Sequence, residues 1–114
     1  MNEFLTQDEL QADPDGKVVV AIRAARAVAG FNQQDFADQM GVAQTTVARI
    51  ETLEMKAPAE FLLRAVYLFK TCGIELDMHD YDKLVIKVSN QAINNVVTYL
   101  ENDSNRRSDK KVKT

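Results

Sequence analysis

Gln44, Thr45, Ala48 and Arg49 share one outward stripe if the stretch from Gln44 to Thr52 is helical, with Thr45 and Arg49 one turn apart. Their side chains suit the edges of DNA bases. A glutamine amide can donate to N7 and accept from N6 of adenine, and an arginine can fork onto O6 and N7 of guanine. A threonine methyl or an alanine can touch the methyl group of thymine. Such chemistry needs these groups to project together into a groove, so the neighbouring segments must hold the helix from behind.

The stretch Gln33 to Thr52 has the pattern to do so. It reads as two short helices joined by a tight turn at Gly41-Val42-Ala43. Phe36, Ala37, Met40, Val42, Val47 and Ile50 fall where the pair must face inward, and Ala37 is small where the second helix would cross the first. Gly41 stands where the chain leaves a helix, a place that favours the left-handed conformation. Two helices joined in this way form a helix-turn-helix, whose second helix enters the DNA major groove. Asn32 is a natural N-cap for the first of them. Gln33 therefore sits at a helix N-terminus, where free backbone amides and the positive dipole end suit a DNA phosphate. Glu51 is acidic near the expected phosphates and is read as a salt-bridge partner of Arg26 or Arg49.

The flanking segments extend the helical reading. Asp13-Pro14-Asp15-Gly16 reads as a turn or helix start, with Asp13 as N-cap and Pro14 in the first turn. Lys17 to Ala29 reads as a helix burying Val18, Ile22, Ala25 and Ala29 and closed by Gly30. Arg23 and Arg26, three apart on it, can reach solvent or a phosphate. Pro58 opens a further helix to about Thr71, whose Phe61, Leu62, Ala65, Val66, Leu68 and Phe69 are read as core.

Residues 18–70 resemble the phage-repressor and Cro type of helix-turn-helix DNA-binding domain. The resemblance rests on Asn32-Gln33, Ala37, Gly41-Val42, Val47, Ile50-Glu51 and Pro58. It implies a mainly α fold, a five-helix repressor-like domain, here followed by a β-hairpin and a C-terminal helix. It also implies base contacts by Gln44, Thr45 and Arg49, with Gln33 bracing both a phosphate and Gln44. Arg26, Gln33, Thr46 and Lys56 form the expected phosphate set, and Ala48 completes the base-facing set. Two positions depart from the pattern: Leu53 stands where the family has glycine, and Ala43 where it has serine or threonine.

Beyond the domain, Ile74, Leu76 and Met78 alternate with Glu75 and Asp77, and Leu84, Ile86 and Val88 alternate with Val85 and Lys87. Residues 74–88 thus read as a hairpin with one apolar face. His79 beside Asp77, Asp80 and Asp82 is read as a solvated turn, not a metal site, and no cofactor is expected. Ser89 caps a last helix from Asn90 to about Asn102, with Ile93, Val96, Val97 and Leu100 on one stripe. That stripe and the hairpin face exceed what one small domain needs, so 74–102 is expected to make a homodimer. A twofold dimer can read two half-sites about one helical turn apart.

Composition fits. The chain has 114 residues, 46% hydrophobic and 27% charged, enough for one core and an appendage. No run approaches the roughly 20 apolar residues of a membrane span, and the lone Cys72 reads as a small apolar side chain. A reducing cytoplasm and no membrane partner are expected. The net charge of −3 is unevenly placed: −5 over 1–16, +2 over 17–70, −4 over 71–103 and +4 over 104–114. Only the central block and the tail suit phosphate. The organisation expected is an acidic arm over 1–16, with a capping-box pattern at Thr6 and Glu9, then the DNA-binding domain over 17–73. The appendage occupies 74–102 and a disordered basic tail 103–114.

Neither a phosphate-binding glycine loop nor a zinc-ligand pattern is present, and an enzyme is not expected. A sequence-specific repressor on a palindromic operator in double-stranded DNA is the leading reading. The alternative is an antitoxin that regulates its own promoter. A toxin or an antirepressor protein is the further partner class these readings admit.

Overall fold

In the computed structural model, residues 13–80 and 82–102 are described. The order is α1 (Pro14–Ala29), α2 (Gln33–Met40), α3 (Gln44–Glu51), α4 (Ala59–Thr71), β1 (Ile74–Asp77), β2 (Val85–Val88) and α5 (Asn90–Glu101). The chain is mainly helical with one two-stranded antiparallel hairpin. Among the described residues four helices precede the hairpin and one follows it, so the expectation of five helices before the hairpin is not met within 13–73. A turn and bend over residues 52–55, then irregular chain to the extended Pro58, occupy the stretch between α3 and α4. The Thr6–Glu9 capping pattern, the arm over 1–12 and the tail over 103–114 lie outside the described residues.

Local chemistry sets most of the boundaries. Asp13 accepts from the Asp15 amide at 3.1 Å and Pro14 occupies the first turn, so α1 starts three residues before Lys17. Asn32 and Asp35 form a reciprocal capping box on α2, and Ser89 accepts from the Ala92 amide at 3.1 Å to cap α5. Gly41 ends α2 at φ 72°, where its amide bonds back to the last turn. By contrast, Ala43 begins α3 with no side-chain cap.

The core lies between α1, α2, α3 and α4 and is closed by the hairpin. Phe36 stacks on Phe69, ring centres 5.3 Å apart, and meets Phe61 edge-on at 6.0 Å. Ala37, Met40, Val47 and Ile50 are buried around them. The buried face of α1 is Val19, Ala21, Ile22 and Ala25, with Val18 and Ala29 only partly covered. It is rotated and widened from the expected stripe because α1 packs against α3 and α4 as well as β1.

Antiparallel pairing sets Ile74 against Val88 and Leu76 against Ile86, and these four side chains pack on the core. The apolar face of the hairpin is therefore covered within its own chain. Gly73 makes the join possible. A Cβ there would collide with Ser89 Oγ and sit 3.1 Å from Ala92 Cβ, and its φ of 84° is itself left-handed. Of α5 only Ala92 is buried; Ile93 and Val97 stay 47% and 45% exposed. On α4 the expected core position Val66 lies at the surface, together with Leu63 and Tyr67.

Candidate functional site

Helix α3 has two sides of different character. Val47, Ile50 and Glu51 are buried, whereas Thr45 and Arg49 are exposed and Gln44, Thr46 and Ala48 lie half-buried at the surface. The four residues expected at base edges thus share the side of α3 away from the core. Arg49 has 59% of its side chain exposed, with Nε 4.0 Å from a Glu54 carboxylate that is itself largely exposed. A pair this long and this wet holds the guanidinium only loosely.

Glu51, 3% exposed, organises the inner side. Both its oxygens accept from Arg26, Nε at 2.8 Å and an outer nitrogen at 2.9 Å. Gln33 Nε2 donates to the same carboxylate at 3.1 Å, and Gln44 Nε2 donates to Gln33 Oε1 at 2.7 Å. The direction of this relay is forced. A carboxylate only accepts, so Gln33 must turn its nitrogen inward and its oxygen toward Gln44. Gln44 then presents its own oxygen and one remaining N–H away from the relay. Arg26 also donates to the Phe31 carbonyl at 3.0 Å, tying the α1–α2 connection into the same network.

The expected phosphate set is divided by these bonds. Arg26 has three of its five N–H donors engaged inside the chain and Gln33 has its amide engaged at both ends. What Gln33 keeps toward an anion is its place at the N-terminus of α2, where the first backbone amides lack helical partners. Thr46 is half-buried beside the start of α3. Lys56 is the open cation, 83% exposed and 3.8 Å from Asp15.

Sequence reasoning leaves one contributor, Arg64, unnamed and assigns another, Arg23, only to solvent or a phosphate. Arg64 donates to the Met40 carbonyl at 3.0 Å, so α4 fixes the end of α2 just before the turn. Arg23 approaches the Glu51 carbonyl at 3.5 Å. The spacing Val47, Ile50, Glu51 did hold a signal for a buried acid, since i, i+3 and i+4 share one face.

A shallow groove of about 370 Å³ between the end of α1, α2 and α5 is lined by Asp35 and Asp38, which disfavour an anion there. Among the described residues no three His, Cys, Asp or Glu side chains gather as metal ligands. None of the helices described is long and apolar enough to cross a membrane. Compared with family models, curated proteins and solved structures, the chain finds no match in any of the three.

Proposed function

We propose that the protein is a sequence-specific regulator of transcription, a repressor of the helix-turn-helix kind that lays α3 in the major groove of double-stranded DNA. On this reading it binds a palindromic operator as a homodimer and acts as a binding protein, not an enzyme. One observation carries the reading: Gln44, Thr45, Ala48 and Arg49 lie together on the open side of a short helix whose other side is anchored by a buried ionic network. A helix pinned this way brings an amide, a hydroxyl and a guanidinium to base edges with little left to order on binding. The packing of the hairpin onto the core favours a repressor over an antitoxin, whose partner-binding segment would fold only on its toxin.

The test is selection of sites from random double-stranded DNA by the full chain, followed by Arg49→Ala. The reading predicts a recovered inverted repeat and a loss of about 1–3 kcal/mol at that site, with preference relaxed at one base position per half-site. Recovery of no common sequence, or an equal loss on every sequence, would overturn it.

A further inference from the structure

We infer that the outer face of α4 is a twofold interface between two copies of this chain. Leu63 and Tyr67 are each 72% exposed, the largest exposures among the large hydrophobic side chains described. They lie one turn apart and directly opposite the stripe Phe61, Ala65, Phe69 that enters the core. Glu60 and Lys70 flank them on the same outer face, both exposed, and neither joins an ion pair within the described residues.

The order of these four residues is what selects a second copy. The midpoint of α4 (Ala59–Thr71) is Ala65. A twofold axis through the outer face at that level sets two α4 helices antiparallel, so each residue meets the one equally far on the other side of the midpoint. Leu63 then lies on Tyr67 of the second copy, and Glu60 faces its Lys70. Each contact occurs twice. Apolar groups meet at the centre, and unlike charges meet at both ends. A parallel arrangement would set Glu60 beside Glu60 and Lys70 beside Lys70. The outer face of α5 is less selective, because Ile93, Val97 and Leu100 are more covered and the one charged residue of that helix, Glu101, has no basic residue on α5 to meet across a twofold.

The interface is small. One exposed leucine and one exposed tyrosine per copy, with a charged rim, fall short of the roughly 800 Å² per partner of a standard stable contact. The dimer is therefore weak, reversible and dependent on concentration. The inference deepens the homodimer of the proposed function by placing its contact, yet it is separable from base reading: self-association is measured without DNA, and base reading by α3 can fail while the dimer persists.

Sedimentation equilibrium of the full chain, from micromolar to near-millimolar concentration, reads the association directly. A monomer–dimer equilibrium is expected. Glu60→Lys or Lys70→Glu alone should weaken it roughly tenfold, because each creates two like-charge pairs. The double reversal E60K/K70E should restore association to near the original value. Leu63→Asp should leave a monomer with an unchanged far-ultraviolet spectrum, since the site is exposed. A chain monomeric throughout, or a double reversal no better than the single ones, would overturn the inference. So would a dimer that survives Leu63→Asp and is lost in Val97→Asp, which would move the contact to α5.

Discussion

Glu51 grips Arg26 with both carboxylate oxygens, at 2.8 and 2.9 Å, from a position beneath the surface that joins the end of α3 to the end of α1. Removing one partner leaves a charge in a place where water cannot reach it. Arg26→Met is expected to lower stability by roughly 3–5 kcal/mol, toward the lower end because Gln33 still donates to the carboxylate. Replacing both residues with methionine should recover most of that loss. Urea unfolding of the two variants beside the unaltered chain measures it, and a double variant no more stable than Arg26→Met would show that the ionic geometry itself holds the helices.

Ala43 precedes α3 in extended conformation, φ −73° and ψ 149°, with no side chain to accept from the free amides of the first turn. Ala43→Ser supplies that acceptor and should stabilise the chain by about 1 kcal/mol. The gain should appear as a higher denaturant midpoint with an unchanged slope. A neutral result would mean that water already satisfies those amides as well as a hydroxyl can.

The parts of this fold that depend on close neighbours are readable from the sequence. Asn32, Gly41 and Ser89 act within a few residues, so the limits of α2 and the start of α5 follow from their types. The alternation in 74–88 likewise gives the hairpin and its inward face. Less readable are relationships between distant positions. Glu51 and Arg26 lie 25 residues apart; the sequence offers Arg26 and Arg49 alike as partners of Glu51, and only the fold selects Arg26 and turns Arg49 toward Glu54. Leu63 and Tyr67 belong to a helix apolar almost all round, and apolar type alone does not tell which side stays in water. The outward residues of α3 are readable because burying Val47 and Ile50 leaves Thr45 and Arg49 no other direction.

Leu53 holds φ at 64°, the left-handed region that a branched side chain adopts only at a penalty of about 1–2 kcal/mol. It is also 54% exposed, so it returns little of that through packing. Leu53→Gly should therefore raise stability, by about 0.5–1 kcal/mol after the greater freedom of glycine in the unfolded chain is set against the relief. A measured loss would show that contacts of Leu53 near Val18 and Leu62 outweigh the backbone strain.

Lys56 lies in the segment after α3, exposed and only loosely paired with Asp15. If it meets a phosphate, Lys56→Ala should weaken binding evenly across sequences and reduce the salt dependence by about one unit of slope. Affinities measured on specific and unrelated DNA over a range of salt concentrations decide this. An unchanged slope would remove Lys56 from the phosphate set and leave the charge without a DNA role.

His79 bonds through Nδ1 to the carboxylate of Asp77 and lies 3.4 Å through Nε2 from Asp80, at the exposed turn of the hairpin. The Asp77 hydrogen bond and charge, then the charge of Asp80, raise the His79 pKa above its ordinary 6.5, against a small desolvation and the opposing charge of Lys17. That ring bond, joined by one from the His79 backbone amide at 3.3 Å, holds Asp77 below its ordinary 3.8. The signs fix the window. The contribution of His79 is fully present below 6.5 and lost as pH rises through its raised value. That of Asp77 is present above 3.8 and lost as pH falls through its lowered value, so the turn is held best between the two. His79 is the single histidine of the chain, and its ring proton resonance should titrate with a midpoint above 6.5. Asp77→Asn should bring that midpoint down toward 6.5; a midpoint unmoved by the substitution would mean that the two side chains do not pair in solution.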